Sequence, residues 1–173
     1  MRIAIFSDNF YPELSGISDS IITLAEALTR KNHVVQFYVP WYPQRYYKQG
    51  SGKNHAFRDF LERAPLTRLA SLPYHTGSGR GRFVVPTGLR WLNVRHFNPD
   101  IIHTQLFFGA GIEALVAARI LKKPLIGTNH TAIAEYVRYS PLKAAWFRNF
   151  IIRYASWYYN QCDMVTGPSR SVL

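Results

Sequence analysis

Short apolar runs alternate along this chain with segments of helical period. Arg2–Phe6 (RIAIF) is a buried-strand pattern, and Ile17, Ile21, Leu24, Ala25 and Leu28 then recur at helical spacing. That helix is predicted to stop near Asn32, since Asn tolerates the left-handed cap position. Val34–Val39 (VVQFYV) is a second strand, closed by Pro40, and Arg68–Leu72 a weaker third. Thr87–Phe97 is predicted helical, followed by a strand at Asp100–His103, a helix over Phe108–Lys122 and a strand at Pro124–Thr128. A long helix over Leu142–Asn160 places Trp146, Phe150, Tyr154 and Trp157 on one face, the stripe expected of a helix packed on a core. Met164–Thr166 is the last strand, and Pro168-Ser169 opens a further helix. Strands alternating with helices imply an α/β, doubly wound, largely parallel sheet. The 173 residues are one domain's worth of chain.

Such sheets bind ligands beyond the carboxyl ends of their strands. Ser7-Asp8-Asn9, His103-Thr104 and Asn129-His130-Thr131 end three of the predicted strands, so Asp8, His103 and His130 are expected to converge on one edge. A histidine there has two readings, a satisfied imidazole in a turn or an active-site edge, and the residues alone leave both open. Gly16 stands at the N-terminus of the first helix, where free N–H groups and the positive helix end favour a phosphate; a turn residue is its plainer reading. No HExxH, Cys pair or DxD is present, so no protein-built metal site is expected.

The net charge of +11 is concentrated. Trp41–Arg95 holds ten Lys or Arg against two acids, and Thr131–Asn160 four against one. Basic residues interleaved with aromatics suit nucleic acid, an anionic membrane surface, or a solvated face over buried rings. No apolar stretch reaches the roughly 18 residues of a membrane span. The stretch Leu106–Leu121 is interrupted by Glu113 and Arg119. The single cysteine, Cys162, cannot form an internal disulfide, which fits a reducing compartment.

Taken in order, the motifs resemble a family. DNFYPELSGISDSIITLAEALTRKNHVVQFYVP, NPDIIHTQ, KPLIGTNHT and DMVTGPSRSVL resemble successive landmarks of retaining GT-B glycosyltransferases of family 4. The series covers the chain except about Trp41–Leu92. Ser15 stands where many members have a first glycine, and Asn32 where Gly is usual. NHTAIAEYVRY further resembles members that glycosylate membrane lipids, of the diacylglycerol glucosyltransferase and phosphatidylinositol mannosyltransferase type. The resemblance implies a Rossmann-like half of a GT-B architecture and transfer of a hexose from a nucleotide sugar to a membrane lipid or other acceptor, with retention and without a cofactor. By the same resemblance His130 is catalytic and contacts the donor sugar. Gly16 and Ser15 meet the donor, and Tyr11, His103, Thr131, Glu135 and Tyr136 lie near the acceptor. Trp41, Tyr42, Arg45, Tyr46, Tyr47 and Lys48 are the candidate membrane contacts, on a peripheral enzyme at the cytoplasmic face.

Family members carry a second domain with a Glu-x7-Glu signature, and no Glu here is followed by another eight positions later. The expectation is an N-terminal, acceptor-side domain over residues 1–173, with the nucleotide-sugar domain absent and the chain inactive alone. A non-catalytic membrane-docking or scaffold subunit and a basic nucleic-acid-binding module are the competing classes.

Overall fold

The computed structural model describes residues 1–13, 15–49, 65–74, 81–130 and 145–169. Eight strands and five helices lie within them. They are β1 (Arg2–Phe6), α1 (Gly16–Arg30), β2 (Val34–Pro40), α2 (Gln44–Gln49), β3 (Leu66–Leu69), β4 (Ser71–Pro73), β5 (Arg82–Val84), α3 (Trp91–Phe97), β6 (Ile101–Thr104), α4 (Gly109–Leu121), β7 (Leu125–Thr128), α5 (Ala145–Tyr159) and β8 (Met164–Thr166). Six strands form one sheet in the order β3-β2-β1-β6-β7-β8, and every pairing in it is parallel. The order reverses between β1 and β6, the switch point of a doubly wound sheet.

Side-chain alternation along β1 feeds two cores. Ala4 and Phe6 join Tyr38, Ile102, Val94, Phe97, Ala114 and Tyr158 on one face. Ile3 and Ile5 join Ile21, Ile22, Ala25, Val35 and Phe37 on the other. Both faces are therefore covered, as an all-parallel sheet requires. Helix α1 starts at Ser15, whose hydroxyl accepts from the Ser18 N–H at 3.2 Å. It ends as expected, with Asn32 left-handed at φ 62°.

The sequence expectations differ from the structure in three places. The weak strand Arg68–Leu72 is two strands in different sheets, because the Ala70 carbonyl turns to the Val85 N–H (3.0 Å) and β4 leaves to pair antiparallel with β5. The helix expected from Thr87 begins only at Trp91. Gly88 has φ +70°, and the Thr87, Gly88 and Arg90 amides all donate to the buried Glu113 carboxylate instead.

The third correction concerns α5. Trp146, Phe150 and Trp157 are 69, 58 and 48% exposed, so three of the four stripe residues face away from the core and only Tyr154 packs against it. The buried contacts come from Ala155 and Tyr158. The Tyr158 hydroxyl donates to the Gly111 carbonyl (2.7 Å) and the half-buried Tyr154 donates to the Phe107 carbonyl (2.9 Å). An alanine permits close approach, and a tyrosine hydroxyl satisfies an otherwise buried carbonyl.

Candidate active site

The loop after β1 is organised by Asn9. Its side-chain oxygen accepts from Ser15 Oγ (2.8 Å) and Ser18 Oγ (2.7 Å), and its N–H donates to Ser7 Oγ (3.1 Å). These bonds fix the start of α1 and occupy the Ser15 hydroxyl. Gly16 is the first residue of α1, and a Cβ there would meet nothing within 4 Å. The helix end at Gly16 is therefore open, and no packing demand explains the glycine.

Asp8 stands beyond β1 at the expected edge, but its carboxylate turns inward. It accepts from the Ala110 N–H at 2.9 and 3.1 Å and from the Val84 N–H at 3.4 Å. Helix α4 has Phe108 at its N-cap with no side-chain bond, so Asp8 takes over that task from 102 residues away. A Cβ on Gly109 would lie 1.7 Å from the Val84 carbonyl oxygen, and one on Gly111 would lie 2.4 Å from that of Leu106. Only glycines let α4 approach this closely. Burial pushes the Asp8 carboxyl up to about 7, against the lowering effect of the Ala110, Val84, Gly111 and Gly109 amides.

The two histidines do come near each other. His103, inside β6, bonds through Nε2 to Thr128 Oγ1 (2.7 Å), which bonds on to Thr166 Oγ1 (2.8 Å), so one polar chain crosses β6, β7 and β8. Burial, then the neighbouring His130, lowers the His103 pKa to about 4. His130, two residues beyond β7, is half-buried, and burial lowers its pKa too. Its Nε2 lies 2.8 Å from Gln105 Oε1. An amide oxygen only accepts, so with the Gln105 amide in this orientation Nε2 carries the proton and Nδ1 keeps the lone pair.

Sequence reasoning missed Gln105. It is 1% exposed, sits directly after β6 at the switch point, and leaves its Nε2 without a partner. The legible signal was its place: a polar side chain immediately after an apolar strand, one residue beyond His103-Thr104.

A match to the model of Glycosyltransferase Family 4 runs over residues 14–173. The chain belongs to Glycosyltransferase Family 4. It is 30% identical over 175 residues to the alpha-monoglucosyldiacylglycerol synthase of Streptococcus pneumoniae, covering 99% of this chain and 36% of the synthase. It is 29% identical over 178 residues to a GDP-mannose-dependent alpha-mannosyltransferase of Corynebacterium glutamicum, covering 98% of this chain and 38% of that enzyme. Among solved structures, Anabaena Alr3699/HepE in complex with UDP-glucose is similar with a TM-score of 0.54 at 15% identity, over 99% of this chain and 38% of that one. The last likeness concerns the fold alone. The chain spans 36 to 43% of the length of these curated relatives.

Within this family-4 fold the other expected site residues fall unevenly. Tyr11 is 8% exposed and packs edge-on to Tyr47 at 5.9 Å. Thr131, Glu135 and Tyr136 lie outside the described residues, as does the side chain of Lys48. Of the membrane candidates, Trp41 is 50% exposed, Arg45 is exposed, and Tyr46 and Tyr47 are half-buried. Tyr42 is not a surface contact: it is 1% exposed and donates to Glu13 Oε2 at 3.2 Å. The reason is that Glu13 is itself buried, and a buried carboxylate requires a donor. Among the described residues no group of three His, Cys, Asp or Glu is placed to hold a metal, and no helix is long and apolar enough to cross a membrane.

Proposed function

We propose that this chain is the acceptor-side half of a glycosyltransferase that moves a hexose from a nucleotide sugar to a lipid acceptor with retention. A second domain supplies most of the nucleotide contacts. The reading rests above all on His130, a neutral imidazole at the carboxyl edge held through Nε2 by a buried Gln105. A ring held in this way offers Nδ1 to a substrate hydroxyl, and its low pKa keeps that lone pair available at neutral pH. The open helix end at Gly16 suits the donor diphosphate, with backbone N–H groups and the helix dipole opposing its charge. Tyr11, His103 and the 131–136 segment are assigned to the acceptor side. The names of the relatives support the substrate classes: one is a synthase of monoglucosyldiacylglycerol, another a GDP-mannose-dependent mannosyltransferase.

A lipid acceptor requires a route to the membrane surface. Trp41 and Arg45 remain candidates for contact, and the outward stripe of α5 joins them, with Arg153 lying among its exposed rings. Aromatic rings at headgroup depth and basic residues against anionic lipid are the usual means of peripheral docking.

The test uses the enzyme joined to its nucleotide-sugar domain, assayed with UDP-glucose and GDP-mannose on diacylglycerol acceptors. His130→Ala is expected to lower turnover by roughly 100-fold, the usual scale for losing one transition-state contact. Turnover close to wild type would remove His130 from the mechanism.

A further inference from the structure

Beyond the sugar-transfer edge, a second feature at the carboxyl ends of the strands has no role in that reading. Arg68, the third residue of β3, reaches under the loop that follows β1. Its Nη1 donates to the Tyr11 carbonyl (3.0 Å) and to the Pro40 carbonyl (2.9 Å). Its guanidinium carbon lies 6.0 Å from the Phe10 ring centroid and 5.5 Å from that of Tyr47. The head is thus anchored from one side and walled by aromatic rings.

Among the described residues no counter-charge faces it: Nε and Nη2 carry no hydrogen bond to them, and Arg68 makes no ion pair with them. Glu13, in the same loop, takes the Tyr42 hydroxyl. Burial disfavours the charged form of Arg68 and lowers its pKa, opposed by the Tyr47, Tyr42 and Tyr11 hydroxyls. An arginine stays charged nonetheless, so a partly desolvated guanidinium without an anion is an unfavourable arrangement. The neighbouring Arg82 makes the contrast. It is 7% exposed, and both its Nε (3.2 Å to Ser71 Oγ) and Nη2 (to the Ser71 carbonyl) are engaged. Arg82 is enclosed as a structural group, whereas Arg68 is only half-buried.

We infer that Arg68, with Tyr11 and Tyr47 beside it, is a binding site for a phosphate group. The Nε–H and Nη2–H groups, unengaged among the described residues, form the side-on fork of a guanidinium, which matches two oxygens of a phosphate or phosphodiester. Nη1, tied to two backbone carbonyls, holds the fork in place without occupying it. The site lies at the carboxyl end of β3, two strands from β1, on the ligand edge of the sheet. A lipid headgroup and a soluble phosphate ester both carry such a phosphate, and the chemistry of recognition is the same.

The test follows the Arg68 Nε–H signal by NMR, in the 173-residue chain, with no sugar donor present. The probes are inorganic phosphate, glycerol 3-phosphate and a short-chain phosphatidylglycerol below its micelle concentration, each at ionic strength matched with chloride. The expected result is a saturable shift with at least one phosphate probe and none with chloride. Saturation by the soluble esters alone identifies a soluble ligand; tighter saturation by the short-chain lipid identifies a headgroup. Arg68→Lys keeps the charge and loses the fork, so binding should weaken by about tenfold or more, the scale of one charge-assisted hydrogen bond. No shift with any phosphate probe, an equal shift with chloride, or unchanged affinity in a folded Arg68→Lys variant overturns the site. Because no donor is present, that failure leaves the sugar-transfer reading untouched, and loss of activity in His130→Ala says nothing about Arg68.

Discussion

Asp8, beyond β1, and His103, within β6, are both removed from water, and they bind protons in opposite ways. Burial raises the Asp8 pKa from 3.8 to about 7, so the folded state holds its proton more tightly than the unfolded chain. Its contribution to stability is full below the unfolded value and is lost as pH rises through about 7. Burial and the nearby His130 lower His103 from 6.5 to about 4, so its contribution is full above 6.5 and is lost as pH falls through about 4. His130 shifts in the same direction as His103. Between pH 4 and 6.5 the slopes oppose each other, and the wild-type profile is flattened. Asp8→Asn is expected to make stability rise more steeply with pH across that window, and His103→Gln to make it rise less or fall. Urea midpoints measured from pH 4 to 7.5 decide this: profiles parallel to wild type in both variants would mean that neither group titrates differently on folding.

At the level of elements, α5 departs furthest from what its sequence implies. Phe150 stacks on Tyr154 at 6.3 Å, and Tyr154 on Trp157 at 5.8 Å, so these three rings form a continuous ridge. From Phe150 to Trp157 the ridge is roughly 10 Å long at the helical rise. Arg148 and Arg153 are exposed on the same helix, which has no acidic residue. Since these rings contribute little to the core, a triple change of Trp146, Phe150 and Trp157 to Ser is expected to move the unfolding midpoint only slightly. It should nevertheless weaken sedimentation with phosphatidylcholine vesicles containing phosphatidylglycerol, as should Arg153→Glu, each basic residue near such a surface contributing ~1 kcal/mol. A large loss of stability would restore the stripe to the core. Unchanged vesicle binding would place membrane docking elsewhere. Tyr158→Phe, by contrast, belongs to the buried face, where its hydroxyl serves the Gly111 carbonyl.

The described residues form a six-stranded Rossmann-like sheet with a two-stranded one beside it, and on the reading proposed above the helix end at Gly16 is what they offer a diphosphate. Each exposed backbone donor and helix charge contributes roughly 1 kcal/mol or less, while millimolar binding already requires about 4 kcal/mol beyond the loss of ligand freedom. The isolated chain is therefore expected to bind UDP-glucose or GDP-mannose no tighter than about millimolar. Calorimetry giving micromolar affinity would mean that this half holds a complete donor site.

Hydrophobic period was sufficient for five of the sheet's six strands. β1, β2, β6, β7 and β8, with α1 and α4 between them, are written in runs whose period of 2 or 3.6 suits the face they bury, so Arg2–Phe6 and Ile17–Leu28 were legible without coordinates. The left-handed Asn32 was legible for the same local reason. Contacts between residues distant in sequence were not. Nothing near Asp8 announces that it caps a helix 102 residues on, and nothing near Gly88 announces that Glu113 will take its amide. The burial of Tyr42 was decided by Glu13, and the partner of His130 by where β6 ends beside β7. Even the α5 stripe has the period of a core face; which side turned inward was decided by the small Ala155 and by carbonyls at Phe107 and Gly111 that required tyrosine hydroxyls. Period records that a face is apolar, and only the assembled neighbours, through volume and unsatisfied polar groups, determine whether that face is covered.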